Sequence, residues 1–215
     1  MISSILFDLD GLLIDSERLY RKVTYEMAEG FGKVMTEEIR AQQIGRSPLE
    51  ANRIFREALG ILSHTAEELM HIRNRRMLEE FERDLVILPG AREIVHALEG
   101  RYRLAISTGS PRMLLEAALE KMELGHCFEV IVTSDEITRG KPDPEIYLKT
   151  IQILGVQANE CMVLEDSVNG VISGCAAGCR VIAVPGDHTP GNDFTGVEAV
   201  VSDLFEALEY INREK

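Results

Sequence analysis

Two aspartates separated by one residue, Asp8 and Asp10, directly follow a short apolar run and precede Gly11. Carboxylate oxygens are the ligands that Mg²⁺ prefers. One carboxylate of such a pair can attack phosphorus to form an acyl phosphate, and the other can carry a proton to the leaving oxygen. Gly11 lets the chain turn away sharply after the pair. Alone, the two acids are more typical of a solvated loop, so a role in chemistry depends on their neighbours.

Three further groups suit the same chemistry. Ser107 and Thr108 offer a hydroxyl and backbone N–H groups ahead of a predicted helix, an arrangement that binds phosphate or simply caps the helix. Lys141, in a loop stiffened by two prolines, is either a surface lysine or the cation that neutralises a nucleophile and phosphoryl group. Glu165 and Asp166 are adjacent acids that would repel each other without a cation, unless solvent separates them.

The elements that must position these residues can be predicted from hydropathy. Each group ends or adjoins a short apolar, β-rich run, and amphipathic helical stretches lie between the runs. This alternation predicts an α/β fold with a doubly wound parallel sheet, in which ligands bind at the carboxyl ends of the strands. The predicted strands are 2–7, 103–106, 130–132, 162–164 and 181–184, and the predicted helices are 91–98, 111–122, 144–154 and 168–177.

One long segment breaks the alternation. Residues 16–85 contain no good strand pattern, and helical patterns cover 17–30, 36–43, 48–59 and 65–83. The stretch 88–90, Leu-Pro-Gly, marks the return to the alternating pattern. We therefore expect an all-helical insertion after the first strand.

Composition limits the class of protein. The chain has 215 residues, 45% of them hydrophobic, and a formal net charge of -13, which disfavours nucleic acid and anionic membranes as partners. No apolar run reaches the roughly 20 residues that span a bilayer, and the four cysteines and five histidines show no metal-ligand spacing. We expect a soluble cytoplasmic protein with reduced cysteines, and a monomer.

Taken together and in this order, the motifs resemble the four signatures of the haloacid dehalogenase superfamily. The nine residues from Asp8 to Ser16, DLDGLLIDS, are similar to the first signature. Ser107, Lys141 with its following proline, and the pair 165–166 are similar to the second, third and fourth. The resemblance implies a Rossmann-like core domain of residues 1–15 and 88–215 and a helical cap domain of residues 16–87.

The resemblance also implies roles for the acidic residues. Asp8 would be the nucleophile and a Mg²⁺ ligand. Asp10 would be the general acid and then the general base, and its backbone carbonyl would also contact the metal. Asp166, together with Glu165, would hold Mg²⁺. Dehalogenation is conceivable in this superfamily, but Asp10 and the complete fourth motif favour phosphoryl transfer.

The resemblance assigns the remaining motif residues to the phosphoryl group. Ser107 and the Thr108 amide would hold its oxygens, and Lys141 would bridge Asp8 and the phosphate. The cap would choose the substrate, with Glu17, Tyr20, Arg46 in the stretch 45–47, and Arg73 as candidate contacts. For the basic cluster at 73, 75 and 76, a solvated helix face is the competing interpretation.

Within the superfamily, the chain is similar to β-phosphoglucomutases and related sugar-phosphate and nucleotide phosphatases, and its opening also resembles pseudouridine 5'-phosphatases. The mutases carry a histidine where this chain has Tyr20 and a lysine at the position aligned with Ser110, and both differences favour hydrolysis. Arg73-Asn74 aligns with a Lys-Asn pair that contacts substrate in the mutase, which points the other way.

The sequence therefore predicts a Mg²⁺-dependent phosphatase that hydrolyses a small phosphorylated metabolite, of the sugar phosphate or nucleotide type, through an aspartyl-phosphate intermediate. A β-phosphoglucomutase-type phosphomutase is the alternative. A phospho-accepting receiver module is disfavoured by Asp10 and the helical insertion, and a non-catalytic relative by the intact motifs.

Overall fold

A parallel sheet of six strands lies at the centre of the structure, a computed structural model that describes residues 1–43, 46–186, 189 and 194–213. In these residues the strand order is β5-β4-β1-β6-β7-β8, and every pairing is parallel. The strands, in chain order, are β1 (Ser4–Phe7), β2 (Ile14–Asp15), β3 (Val86–Ile87), β4 (Arg103–Ser107), β5 (Val130–Val132), β6 (Cys161–Glu165), β7 (Arg180–Ala183) and β8 (Ala199–Val200).

Helices connect the strands and cover both faces of the sheet. Their starts follow local sequence signals: Ser47 caps α3 ahead of a proline, and Thr65 with Glu68 forms a capping box at the start of α4. The helices are α1 (Glu17–Gly30), α2 (Glu37–Gln43), α3 (Pro48–Ala58), α4 (Ala66–Asp84), α5 (Ala91–Leu98), α6 (Arg112–Met122), α7 (Glu145–Leu154), α8 (Val168–Ala176) and α9 (Leu204–Arg213).

The alternation of side chains along β1 divides the apolar core in two. Ile5 and Phe7 enter one cluster, which includes side chains from α5, α6 and α9. Leu6 enters the other, with Tyr147 of α7 and Val171 of α8. Helical layers on both faces of a parallel sheet confirm the predicted α/β, doubly wound class.

The helices α1 to α4 lie between two short strands that pair with each other. Ile14 and Asp15 of β2 pair antiparallel with Ile87 and Val86 of β3. The points where the chain enters and leaves the helical segment are therefore adjacent. This pair was not predicted, and neither were β8 and α9. The helical segment also contacts the rest of the protein, since Lys121 Nζ of α6 donates to the carbonyl of Phe81 in α4 at 3.1 Å.

Within the part of the chain that the structure describes, every helix is too short or too polar to span a bilayer. All four cysteines are free thiols; Cys127 and Cys161 are buried, and Cys175 and Cys179 are partly exposed.

Candidate active site

Three polar residues occupy equivalent places at the carboxyl ends of neighbouring strands. Asp8 is the first residue after β1, Thr108 the first after β4 and Asp166 the first after β6. Because β4, β1 and β6 are adjacent in the sheet, these side chains meet at one edge. All three are buried, which shields their charges and hydroxyl from bulk solvent.

Lys141 reaches this edge from the loop between β5 and α7. Its ammonium group lies 2.5 Å from Asp8 Oδ1 and 2.5 Å from Glu165 Oε1, and it donates to the carbonyl of Ser107 at 3.0 Å. It also lies 5.1 Å from the ring centroid of Tyr147, within range of a cation–π interaction. Burial lowers the pKa of Lys141, but Asp8 and Glu165 outweigh it and hold the pKa well above its ordinary value.

Glu165 is fully buried and its two oxygens are saturated by donors. Oε1 accepts from Lys141 and, at 2.9 Å, from the Tyr147 hydroxyl. Oε2 accepts from the Ser167 amide at 3.1 Å and the Ser167 hydroxyl at 3.0 Å. The carboxylate lies over Gly170, where a Cβ would come within 2.2 Å of its atoms, so a side chain at position 170 would displace it.

Asp8, Glu165 and Asp166 form a cluster whose ligand oxygens all lie within 4.8 Å of one another. Burial, followed by repulsion from Glu165 and Asp10 and opposed by Lys141, raises the pKa of Asp8 to about 8. Burial together with Glu165 and Asp8 also raises the pKa of Asp166 well above its ordinary value. Proton uptake or a bound cation would relieve this repulsion.

The cluster fits a hard divalent cation. Three carboxylates beside one lysine carry two negative charges in excess when ionised, and oxygen donors suit Mg²⁺. Glu165 is already saturated, so Asp8 and Asp166 offer the more available oxygens. Gly11, at φ 81°, leaves room for Asp166, because a Cβ there would lie 2.2 Å from Asp166 Oδ2.

Asp10 lies beside this cluster, and its carboxylate does not belong to it. Oδ1 accepts from the Ser16 hydroxyl at 2.6 Å, and Oδ2 accepts from the Thr108 hydroxyl at 3.0 Å. The carboxylate is therefore fixed in orientation, as proton transfer requires. Any contribution of Asp10 to metal binding would come from its backbone carbonyl, as the resemblance implied.

Ser107 was predicted to present its hydroxyl to the phosphoryl group, and the structure places that hydroxyl elsewhere. It is fully buried and lies 2.8 Å from Thr150 Oγ1 of α7. The Thr108 amide, predicted as a second donor, instead extends the sheet by donating to the Val132 carbonyl at 3.0 Å. The reason is that β4 is one residue longer than predicted, so the hydroxyl of Thr108 faces the site.

Two of the four predicted cap residues lie close to Asp10. The Tyr20 hydroxyl lies 3.1 Å from Ser110 Oγ, and the Arg73 guanidinium lies 5.4 Å from the centroid of the Tyr20 ring. Burial raises the pKa of Tyr20 and lowers that of Arg73, and the Asp10 charge acts on both. Arg73 Nε is buried with no hydrogen-bond partner among the described residues. A guanidinium so placed suits an anionic ligand.

The other two cap candidates are engaged in ion pairs. Glu17 accepts from Arg40 at 3.3 Å. Arg46 lies 3.5 Å from Glu50, with 55% of its side chain exposed. Gly45, named beside Arg46 in the sequence analysis, lies outside the described residues.

Sequence reasoning missed three residues that support the site. Ser16 orients Asp10, and Tyr147 and Ser167 hold Glu165. A signal was available for Tyr147, because it lies on the apolar face of a predicted helix, where a buried phenol needs a hydrogen-bond partner. Ser16 ends the nine-residue first motif, but its bond to Asp10 depends on the tertiary fold and cannot be deduced from that motif.

Comparison with known proteins agrees with this geometry. The family described as haloacid dehalogenase-like hydrolase matches residues 5–184. The phosphorylated carbohydrates phosphatase of Thermotoga maritima is 33% identical over 184 residues, which cover 84% of each chain. A Drosophila melanogaster protein named as a probable pseudouridine-5'-phosphatase is 34% identical over 192 residues, 86% of this chain and 82% of that one.

A similar structure has also been solved. A Thermotoga maritima protein, described as a candidate β-phosphoglucomutase, superposes with a TM-score of 0.78 at 30% identity and 99% coverage of both chains. The likeness therefore spans the sheet, the helical segment and all four motifs.

Proposed function

This chain belongs to the haloacid dehalogenase-like hydrolase family and is an enzyme, and on that premise we propose that it is a Mg²⁺-dependent phosphatase working through an aspartyl-phosphate. The observation that carries the proposal is the position of Asp8, whose carboxylate lies at the strand end between the Lys141 ammonium and the acidic pair. We infer that its substrates are small phosphorylated metabolites, because the relatives are named as phosphatases that act on such compounds.

In the first step, a carboxylate oxygen of Asp8 attacks the phosphorus and the bond to the substrate oxygen breaks. Lys141, held 2.5 Å from Asp8, stabilises the charge on the nucleophile and on the phosphoryl oxygens. Mg²⁺, held by Asp8, Asp166 and the Asp10 carbonyl, would supply further neutralisation of the phosphoryl charge. Glu165 also accepts a hydrogen bond from Lys141 and so helps to fix its position.

Asp10 handles the protons in both steps. It gives a proton to the leaving oxygen, and then takes one from the water that hydrolyses the aspartyl-phosphate, which releases inorganic phosphate and restores Asp8. Hydrogen bonds from the hydroxyls of Ser16 and Thr108 fix the orientation of the Asp10 carboxylate before substrate binds, and the bond from Ser16 keeps it fixed during this exchange.

The phosphoryl oxygens are held by the segment that follows β4. We assign this role, in place of Ser107, to the backbone N–H of Gly109 and to the Thr108 hydroxyl, whose single proton would turn from Asp10 Oδ2 to a phosphoryl oxygen when substrate binds. A Cβ at Gly109 would meet nothing within 4 Å, so the backbone there borders open space that a phosphoryl group can approach. Backbone N–H groups just ahead of a helix are effective donors to phosphate.

Residues 16–87 act as a cap that selects the substrate. Tyr20 and Arg73 project from it towards Asp10, and Arg73 keeps a buried Nε available for an anionic or hydroxyl-rich leaving group. The relatives named for phosphorylated carbohydrates and for pseudouridine 5'-phosphate favour a sugar phosphate or nucleotide substrate.

A phosphomutase is the second candidate, favoured by the likeness to the candidate β-phosphoglucomutase. Two residues weigh against it. Tyr20 replaces the mutase histidine, and burial raises its pKa, so it stays neutral and cannot serve as that base. The predicted lysine position was Ser110; moving the motif from Ser107 to Thr108 moves that position to Pro111, which is not a lysine either.

Phosphorus NMR tests the proposal directly. The protein with Mg²⁺ would be mixed with hexose 1- and 6-phosphates, phosphoglycolate and nucleoside monophosphates including pseudouridine 5'-phosphate. We expect inorganic phosphate to grow, Asp8→Asn to abolish its release, and the surface control Asp84→Asn to retain it. Interconversion of hexose phosphates without free phosphate would establish the mutase instead. Full activity of Asp8→Asn would refute the nucleophile.

A further inference from the structure

A second group of metal-ligating side chains lies at the opposite end of the sheet from Asp8. Ligand atoms of His96, Glu99 and Cys127 all lie within 4.8 Å of one another. Glu99 lies in the turn that leads into β4, and Cys127 lies in a 3₁₀ turn, Gly125–Cys127, that leads into β5. The five residues of β4 separate this group from Thr108, a distance of about 16 Å.

One pairwise distance in this group already approaches that of a tetrahedral site, since His96 Nδ1 lies 3.8 Å from Glu99 Oε2. Outside the group, Cys127 Sγ lies 3.5 Å from Nε2 of the neighbouring His126, so the thiol already contacts an imidazole nitrogen. In a tetrahedral zinc site with usual bond lengths, an N–O edge measures about 3.4 Å and an S–N edge about 3.6 Å. Small side-chain rotations therefore suffice to close the group around an ion.

The backbone that carries these ligands is already held together. Arg92, one turn before His96 on α5, donates to the carbonyls of Met122 at 3.1 Å and Lys121 at 3.0 Å, at the end of α6. This ties α5 to the segment that contains Cys127. A site whose scaffold is fixed loses little conformational freedom when it binds its ion.

We propose that His96, Glu99 and Cys127 bind Zn²⁺ or a similar borderline transition metal ion. A thiolate and an imidazole select such an ion over Mg²⁺, which requires oxygen donors. The ion would connect the end of α5 to the turn before β5. Cys127 is 7% exposed, whereas His96 and His126 are exposed, so the ion enters from the histidine side.

Cobalt substitution distinguishes this site from the carboxylate cluster. Co²⁺ bound to a thiolate gives a sulfur-to-cobalt charge-transfer band in the near ultraviolet, and Co²⁺ bound to Asp8 and Asp166 does not. We expect the band in the wild-type protein to saturate at one equivalent, to persist in excess Mg²⁺ and to disappear on addition of Zn²⁺. No charge-transfer band in the wild-type protein would overturn the proposal.

Variants assign the ligands. Cys127→Ser should abolish the band, and His96→Ala, at an exposed position that does not threaten folding, should raise the Co²⁺ concentration needed for half-saturation. The matched controls Cys175→Ser and His71→Ala should keep the wild-type titration. A band retained in Cys127→Ser, or a half-saturation point unchanged in His96→Ala, would refute the assignment.

Discussion

Removal of two neighbouring hydroxyls, those of Ser107 and Thr108, should affect different properties: the first folding stability, the second turnover. Thr108→Val removes the hydroxyl that donates to Asp10 Oδ2 and that we assign to the phosphoryl group during the reaction, and loss of one preorganised donor costs about 2.7–4 kcal/mol of transition-state stabilisation. We expect kcat to fall about 100-fold. Ser107→Ala removes only the bond to Thr150, whose hydroxyl keeps its bond to the Ile146 carbonyl at 2.9 Å. This costs about 1 kcal/mol of folding stability and leaves kcat near the wild-type value.

The assay is phosphate release under saturating substrate and Mg²⁺, with unfolding in urea measured on the same samples. Thr108→Ser, which keeps a hydroxyl, is the matched control and should retain most of the turnover. If Ser107→Ala loses as much turnover as Thr108→Val at equal stability, the assignment of the phosphoryl-facing hydroxyl is wrong and the original prediction of Ser107 is restored.

Three further predictions concern charge. Lys141→Met leaves the buried carboxylates of Asp8 and Glu165 without their cation. In metal-free protein the free energy of unfolding, measured in urea, should fall by about 3–5 kcal/mol, and Mg²⁺ should restore part of this loss. Because the folded pKa of Asp8 is about 8 against an ordinary 3.8, the folded state binds more protons between these values. The free energy of unfolding measured in EDTA should therefore fall as the pH rises from 5 to 8, and it should fall less when Mg²⁺ is present. An equal fall with EDTA and with Mg²⁺ would contradict this reasoning. Arg73→Ala should raise KM more than it lowers kcat, whereas the exposed control Arg75→Ala should change neither.

The main elements of the fold followed from the sequence because their patterns are strong. α5 was predicted with its observed bounds, and the strands that carry Asp8 and Asp166 were predicted within two residues at each end. A short apolar run that ends in an acid predicts both that the strand is buried and that its carboxyl end carries the polar residue. The pair β2–β3 was missed because two residues per strand give no periodicity.

The placement of Ser107 shows where sequence reasoning about the site is weakest. A serine is equally compatible with the last position of a strand and the first position of a loop, and a shift of one residue exchanges Ser107 for Thr108. Interactions between distant segments are equally hidden. Tyr20 and Ser110 are 90 positions apart, and only the packing of α1 against the β4–α6 connection brings them to 3.1 Å.

The antiparallel pairing of β2 with β3 has a consequence for how selectivity can change. Because the chain departs at Asp15 and returns at Val86, directly opposite, the helices between them begin and end at neighbouring points. We expect that replacing these helices with those of a relative would leave the register of β1, β4 and β6 unchanged. The chain is thus suited to an exchange of these helices, in which the proposed cap changes the substrate preference between two fixed attachment points while Asp8 stays where it is.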